Sequence, residues 1–303
     1  MAKYIFKRVL LAIVTIFIVC MITFFTMNAI PGGPFAGEKA KSPEVQAALE
    51  KRFNLDKPVG QQFVIYMGNM LHGDFGISAK TGREISQTIG SKFSVSAKLG
   101  IFAVVTAVVI GVVLGSIAAL MRNRLPDRVI IFMSTLFTSL PSFVLGSFLL
   151  VIFSVKLGWV KAWSPTEQNL VLPVLALAAY PASYITRLTK TSMLDVLGQD
   201  YVRTARAKGV ASWKVLFVHT LRNALIPVVT YLGPMIASVL TGSLVVEQIF
   251  TIGGLGAEFV QSITNRDYPM IMGVTIFLAV FMVTMNLLTD IVYKLIDPRI
   301  TLD

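Results

Sequence analysis

The chain is poor in the residues that build most catalytic and metal centres. Of its 303 residues only one is cysteine, Cys20, and two are histidine, His72 and His219. A lone cysteine excludes a disulfide within the chain and leaves the redox compartment unreadable. With one thiol and two well-separated imidazoles, a zinc or haem site lacks its minimum ligands. No Gly-Lys pair occurs, so the Gly-x4-Gly-Lys-Ser/Thr loop that cradles nucleotide phosphates is missing. Neither a Gly-x-Ser-x-Gly elbow nor a His-Glu-x-x-His helix is present, which removes the serine hydrolase and zincin readings. Charge is scarce too: 14% of residues are charged and 55% hydrophobic, against roughly 25% charged in a soluble domain. Such a chain needs lipid around it. The net charge of +11 has no basic face interleaved with aromatics, so nucleic acid is not an expected partner.

What is present are apolar runs long enough to cross a hydrocarbon core, which takes about 20 helical residues. The first, Val9 to Ile30, follows Lys3, Lys7 and Arg8 and ends at Pro31-Gly32-Gly33. It is longer than the core of a signal peptide and precedes no Ala-x-Ala-like cleavage site, so it reads as an uncleaved helix. Five more follow: Leu99–Met121, Val129–Val155, Gln168–Thr186, Asn223–Val246 and Tyr268–Thr289. The expected fold is therefore all-α and polytopic, with six transmembrane helices. Arg122, Arg124 and Arg128 crowd one short loop, whereas 251–267 holds only Arg266. The positive-inside rule then places both termini and the 187–222 loop in the cytoplasm. Three regions result: an N-terminal helix (1–30), an extracytoplasmic helical segment (31–98) and a five-helix core (99–303) carrying the 187–222 loop.

The external segment has helical signals of its own. Ser42-Pro43-Glu44 gives an N-cap, a first-turn proline and an acid at the positive end of the dipole. Val45, Ala48, Leu49 and Phe53 form one stripe; Val59, Phe63, Tyr66, Met67, Met70 and Leu71 form a second, stopped by His72-Gly73. A cap on the chain's own membrane helices and a docking surface for an external partner both fit.

The spans carry no ionisable residue in their middles; Glu247 and Asp290 sit at ends. Proton-driven carriers use buried ionisable relays, so that mechanism is disfavoured, while sodium coupling at broken helices stays open. Breakers exist at Pro141, Pro173, Pro181, Pro227 and Gly233-Pro234, readable as kinks or as gating hinges. Gly111-x3-Gly115, Gly233-x3-Ala237 and Ser238-x3-Gly242 permit close helix approach. Gly233, Pro234, Ser238 and Thr241 are the candidates to line a neutral pore.

The loop from Asp200 to Arg222 reads as two short helices. Asp200 and Ser212 are candidate caps, and Gly209 is a left-handed terminator. Trp213, Leu216, Phe217 and Leu221 are expected to share a face, while Arg203, Arg206 and Lys208 surround Ala205 and Ala207. Residues alone leave two readings: a basic loop resting on anionic lipid, or a surface gripped by another protein. The segment resembles the cytoplasmic loop of ABC importer permeases, Glu-Ala-Ala-x3-Gly-x9-Ile-x-Leu-Pro. Ala205, Gly209 and Leu221 match it, while Arg203, Thr204, His219 and Arg222 depart from it.

The likeness covers nearly the whole chain. Ala29-Ile-Pro31-Gly-Gly-Pro34-Phe, Phe53-Asn-Leu-Asp-Lys-Pro58, Gly73-Asp-Phe-Gly76, Arg187-Leu-Thr, His219-Thr-Leu-Arg-Asn-Ala-Leu-Ile-Pro227, Asn265-Arg-Asp-Tyr268 and Ile296-Asp-Pro-Arg299 are similar to the B-type permease of oligopeptide and dipeptide importers. Gly253-Gly-Leu-Gly256 differs from that family's Pro-Gly-Leu-Gly. The resemblance implies a type I ABC importer permease in a prokaryotic cytoplasmic membrane, importing oligopeptides by alternating access. Dipeptide, nickel and glutathione importers share the subfamily. It further implies a second, C-type permease, two cytoplasmic ATPase subunits that hold the ATP and Mg, and an extracytoplasmic peptide-binding protein. This chain itself would hold no cofactor. Arg203, Thr204, Ala205, Arg206, Lys208 and Gly209 would couple to the ATPases. A stand-alone secondary carrier and a non-transporting scaffold are the rival classes.

Overall fold

The computed structural model describes residues 2–31, 33–35 and 43–296. Among them every regular element is helical. In chain order these are α1 (Ala2–Ala29), α2 (Pro43–Arg52), α3 (Val59–Leu71), α4 (Ile85–Leu120), α5 (Leu125–Ser139) and α6 (Ser142–Leu149). A π-helical stretch, Leu150–Lys156, precedes α7 (Val171–Leu197) and α8 (Asp200–Ala207). Then come α9 (Ser212–Lys214), a second π-helical stretch (Val215–Leu221), α10 (Arg222–Ala224), α11 (Ile226–Gly242), α12 (Leu244–Ile249), α13 (Leu255–Thr264) and α14 (Tyr268–Ile296).

Among the described residues four segments are long and apolar enough to span a bilayer uninterrupted: Phe6–Ala29, Ile85–Leu120, Val171–Leu197 and Tyr268–Thr289. Two bent pairs supply the others, Leu125–Ser139 with Ser142–Lys156 at 106° and Ser212–Ala224 with Ile226–Leu240 at 47°. Counting each pair as one crossing gives the six expected. The sharper bend has a local cause. Leu140, preceding a proline, is held extended at φ −88°, ψ 126°, and Pro141 itself is at ψ 139°. Two successive non-helical residues are enough to turn the chain. Helix α7, the fourth crossing, is also longer than its apolar run, because Arg187 and Lys190 end a hydrocarbon crossing without ending a helix; both are good helix formers.

The described residues form two compact units, one drawn from 2–95 and 253–283 and the other from 96–252 and 284–296. In the first, Cys20, Phe24 and Met27 make one buried stripe along α1 and meet Phe63 of α3 and Tyr268, Ile271, Met272 and Ile276 of α14. Other faces of α1, including Leu10, Ile13 and Ile22, are open to lipid. The helix-start signal at Pro43-Glu44 is realised; its expected cap Ser42 lies outside the described residues. Helix α3 stops at His72 with Gly73 at φ +78°, as anticipated.

Several sequence motifs of this unit meet at one polar knot. Asp267, 4% exposed, precedes α14 and accepts a bond from the Met270 amide at 3.4 Å, an N-cap interaction. The same carboxylate accepts from the Ser78 hydroxyl and, at 3.0 Å, from the Ala79 amide. Ser78 Oγ in turn accepts the amides of Lys80 and Thr81. Beside it, Arg266 donates to the Pro31 carbonyl at 2.9 Å.

The second unit is assembled around α7, which touches α5, α6, α10, α11 and α12. Its buried face is rich in small residues: Ala176, Ala178, Ala182, Ser183, Thr186 and Thr189. Gly111 and Gly115 of α4 close on it. A methyl group on Gly111 would lie 2.6 Å from Ile185 Cβ and 2.9 Å from the Ala182 carbonyl; one on Gly115 would lie 2.6 Å from the Thr186 carbonyl. The expected close approach is therefore made inside the chain. Gly115→Val should lower stability by about 1–3 kcal/mol through overpacking. Gly90→Ala, in the same helix with nothing within 4 Å, should raise it by about 0.5–1 kcal/mol. Thermal unfolding of the two purified variants separates contact from propensity.

Candidate functional site

The loop between α7 and α11 folds on its own small core. Val202, Ala205 and Val215 are buried together, flanked by Val196, Leu197 and Val210. Helix α8 begins one residue away from the expected cap: Gln199 occupies the extended capping position and Asp200 is the first helical residue. Ala211 likewise precedes α9 in place of Ser212. Asp200 therefore acts as an acid in the first turn, facing the positive end of the dipole.

Gly209 ends α8 at φ +74°. The Val210 amide bonds the Ala205 carbonyl at 3.1 Å and the Gly209 amide bonds Arg206 at 3.0 Å. That pair of bonds is a Schellman motif, and Val210 supplies its accompanying apolar contact. Ala205 thus lies inside the loop, where a larger side chain would push α8 off the π-helical stretch beneath it. Arg203, Thr204, Arg206, Lys208 and Gly209 are exposed around it. They form one continuous polar surface. The Arg203–Asp200 ion pair at 3.8 Å is largely exposed and contributes little.

Trp213 and Phe217 depart from the face shared with Leu216 and Leu221. They are exposed at 60% and 57%, whereas Leu216 and Leu221 pack beside Met193, Ala119 and Ala224. The cause is the π-helical winding, visible in the Thr220 hydroxyl bonding the carbonyl of Val215, five residues back. Buried positions run Val215, Thr220, Ala224, Val228, a spacing of five and then four. The α-helical period used on the sequence misplaces one residue in that run.

The loop is tied to the span that follows it. Asn223 donates through Nδ2 to the Tyr201 hydroxyl at 3.0 Å and to the His219 carbonyl at 3.2 Å, so α8 and the start of the fifth span are joined by a side chain. Separately, an ion pair joins Lys190 of α7 to Asp127 of α5 at 2.5 Å, with Asp127 also accepting the Asn123 amide.

A cavity of about 400 Å³ lies where α5 and α6 break, lined by residues of those helices, α7 and α11. Its hydroxyls come from Thr138, Ser139, Ser142, Tyr180, Tyr231 and Ser238, and among the described residues no Asp, Glu, Lys, Arg or His lines it. Pro141 and Pro181, read as breakers, are in its wall. Of the four proposed lining residues, Ser238 is in this cavity. Gly233 instead faces Thr289 of α14 so closely that no side chain would fit; Pro234 is exposed; and the side chain of Thr241 lies outside the described residues.

Glu247, read as lying at the end of the fifth span, is 0% exposed. Its carboxylate accepts the hydroxyls of Ser96 and Ser243, each at 2.6 Å. The chain turns at Ser243 between α11 and α12, which carries Glu247 inward. No periodic signal marks that turn, and the serine partner at 96 is distant in sequence.

Comparison with known proteins adds decisively to this geometry. Residues 111–302 match the family described as binding-protein-dependent transport system inner membrane component, and residues 1–100 match the N-terminal model of the same transport systems. The chain belongs to that family. The permease is 44% identical to the dipeptide transport system permease protein DppB of Bacillus subtilis, across 100% of this chain and 99% of that one. It is 40% identical to the oligopeptide transport system permease protein OppB of Haemophilus influenzae, across 99% of each. Among solved structures, the inward-facing MetNI methionine ABC transporter superposes with a TM-score of 0.56 at 16% identity, covering 70% of this permease and 97% of that chain. An amino acid ABC transporter superposes at 0.52 and 19% identity, covering 69% and 94%. The permease thus has the ABC importer permease fold and is a multi-pass protein of the cytoplasmic membrane.

The left-handed turn gives a direct test of the loop. Gly209→Asn should melt within a few degrees of the parent, since Asn tolerates this conformation, whereas Gly209→Val should cost about 1–2 kcal/mol. Equal losses would mean that the turn is not what the glycine supplies.

Proposed function

We propose that this chain is one permease half of an ATP-driven peptide importer, moving oligopeptides or dipeptides into the cell by alternating access. The observation that carries the reading is full-length similarity to peptide permeases combined with a charge-free cavity at the two helix breaks. A peptide's backbone amides need hydrogen-bond partners along the way, and a ring of hydroxyls provides them without trapping one charge type. Selection by length and side chain then falls to a separate binding protein. A second permease completes the pathway, and both termini and the 187–222 loop face the cytoplasm.

Motive force comes from two ATPase subunits, which hold the ATP and Mg. They grip the exposed surface of Arg203, Thr204, Arg206, Lys208 and Gly209, which Ala205 anchors from beneath. Closing of the ATPases displaces α8. The Asn223–Tyr201 bond and the shared core of Val202, Ala205 and Val215 pass that displacement to the fifth span. Such a grip supplies the differential contacts that two-state switching requires. Trp213 and Phe217, exposed beside the basic surface, extend the same contact.

The double substitution Arg206→Glu with Lys208→Glu should leave membrane insertion intact and cut peptide-stimulated ATP hydrolysis and uptake at least tenfold. Uptake at the parent rate would sink the coupling assignment. Ser238→Asp should reduce uptake of acidic peptides at least tenfold relative to neutral ones, measured in cells carrying the complete transporter. A stand-alone carrier would instead show gradient-driven peptide flux when this chain alone is reconstituted in vesicles.

A further inference from the structure

Helix α3 carries no charged residue along its whole length, Val59–Leu71. Its inner face is accounted for: Phe63 is buried against α1 and α14, and Tyr66, Met67 and Met70 pack beside it. The opposite face is apolar as well. Gly60, Val64, Gly68 and Leu71 follow one another at spacings of four, four and three, which aligns them on one side of the helix. Val64 is 69% exposed and Leu71 79%, and a methyl group on Gly60 or Gly68 would meet nothing within 4 Å. The exposed amides, Gln61 and Asn69, lie to one side of that face in an α-helical winding. A helix apolar on its outer face as well as its inner one is not built for water.

Depth identifies what covers the outer face. Helix α1 crosses the bilayer from Phe6 to Ala29. Phe63 meets the rings of Phe17, Phe24 and Phe25 at centroid distances of 6.0, 5.3 and 5.6 Å. Counted back from Ala29 at 1.5 Å per residue, Phe25 lies about 6 Å and Phe17 about 18 Å inside the span, and one leaflet of the hydrocarbon core is about 15 Å deep. Phe63 is therefore held at the level of acyl chains. Phe17 and Phe25 are themselves 45% and 42% exposed, on the part of α1 that is open to lipid, so the outer face of α3 continues a lipid-facing surface. At about 20 Å long, α3 is too short to cross. Charge resumes on both flanks, at Asp56 and Lys57 before it and at Asp74 after it, so both ends return to the headgroups and the helix runs along the membrane.

We propose that α3 is an in-plane membrane helix, immersed in the leaflet at the C-terminal end of α1 with Gly60, Val64, Gly68 and Leu71 against acyl chains. The bilayer is the partner of this surface. The segment between α1 and α4, readable from its sequence as a cap or as a docking surface, thereby contains a lipid-facing element. An external protein has α2 and the turns to meet, and not the outer face of α3. The placement rests on membrane insertion alone and is independent of what the permease carries.

The test places a nitroxide at Val64→Cys or Leu71→Cys in the full chain carrying Cys20→Ala, reconstituted in phosphatidylethanolamine–phosphatidylglycerol vesicles. Power saturation then compares oxygen, which partitions into hydrocarbon, with nickel ethylenediaminediacetate, which stays in water. Ile22→Cys on the lipid face of α1 and Arg83→Cys on an exposed turn set the two limits. Both α3 labels should behave as Ile22 does, relaxed at least twofold more by oxygen than by nickel. A smaller ratio at either position, as on a water-bathed cap, overturns the proposal. Weak relaxation by both reagents also overturns it, since a protein partner or a second copy would then cover the face. The unaltered chain gives a second reading that needs no cysteine: a phosphatidylcholine with a diazirine in its acyl chain should crosslink within residues 59–71. Crosslinks confined to the long spans would remove the placement.

Discussion

Close contact between small side chains holds the α7 unit together, and the loop, the cavity and the buried acid all depend on it. In lipid, apolar surface gives helices no reason to prefer one another over acyl chains; dispersion at short range and internal hydrogen bonds must do so. Helix α7 answers with a face of alanine, serine and threonine that Gly111 and Gly115 approach to backbone contact. Because α7 also touches α5, α6, α10, α11 and α12, it is the rigid member against which the bent pairs are set.

Around that member, irregular backbone is confined to places where protein or a cavity receives it. Hydrocarbon cannot satisfy an open carbonyl, so a break in a span is tolerated only where other groups compensate. The Leu140-Pro141 break opens onto hydroxyl-bearing residues, and the Leu225 break lies next to Ala224, which is fully buried against Met193 and Ala119. Glu247 follows the same rule. Its carboxylate is enclosed and met by two serine hydroxyls, which is how a buried ionisable group is made affordable.

Helix type, the number of crossings and the left-handed Gly209 were legible in the sequence because each rests on a local rule: run length, charge placement, or the conformational freedom of one residue. The motif around Asp267 was visible as a resemblance, but its role as a cap and tie for Ser78 needed the fold. What stayed hidden was non-local or aperiodic. Glu247 is buried by a turn and by a serine far away in sequence. Trp213 and Phe217 escape their expected face because π winding changes the period midway. Gly233 looked like a pore residue on a span with breakers, yet its missing side chain makes room for Thr289. Composition alone cannot say which side of a helix a glycine serves.

Both bent pairs contain a π-helical stretch, Leu150–Lys156 in one and Val215–Leu221 in the other. A π stretch holds one residue more than the α-helix would over the same length. Expelling that residue into the neighbouring turn would rotate everything beyond it by about 100°, the angle one residue subtends in an α-helix, without opening a hydrogen-bond ladder. Such a rotation would come in a discrete step of fixed size, close to a quarter-turn, rather than as a continuous twist. In the fifth span that step would arise between Trp213 on the exposed surface and Ser238 in the cavity wall.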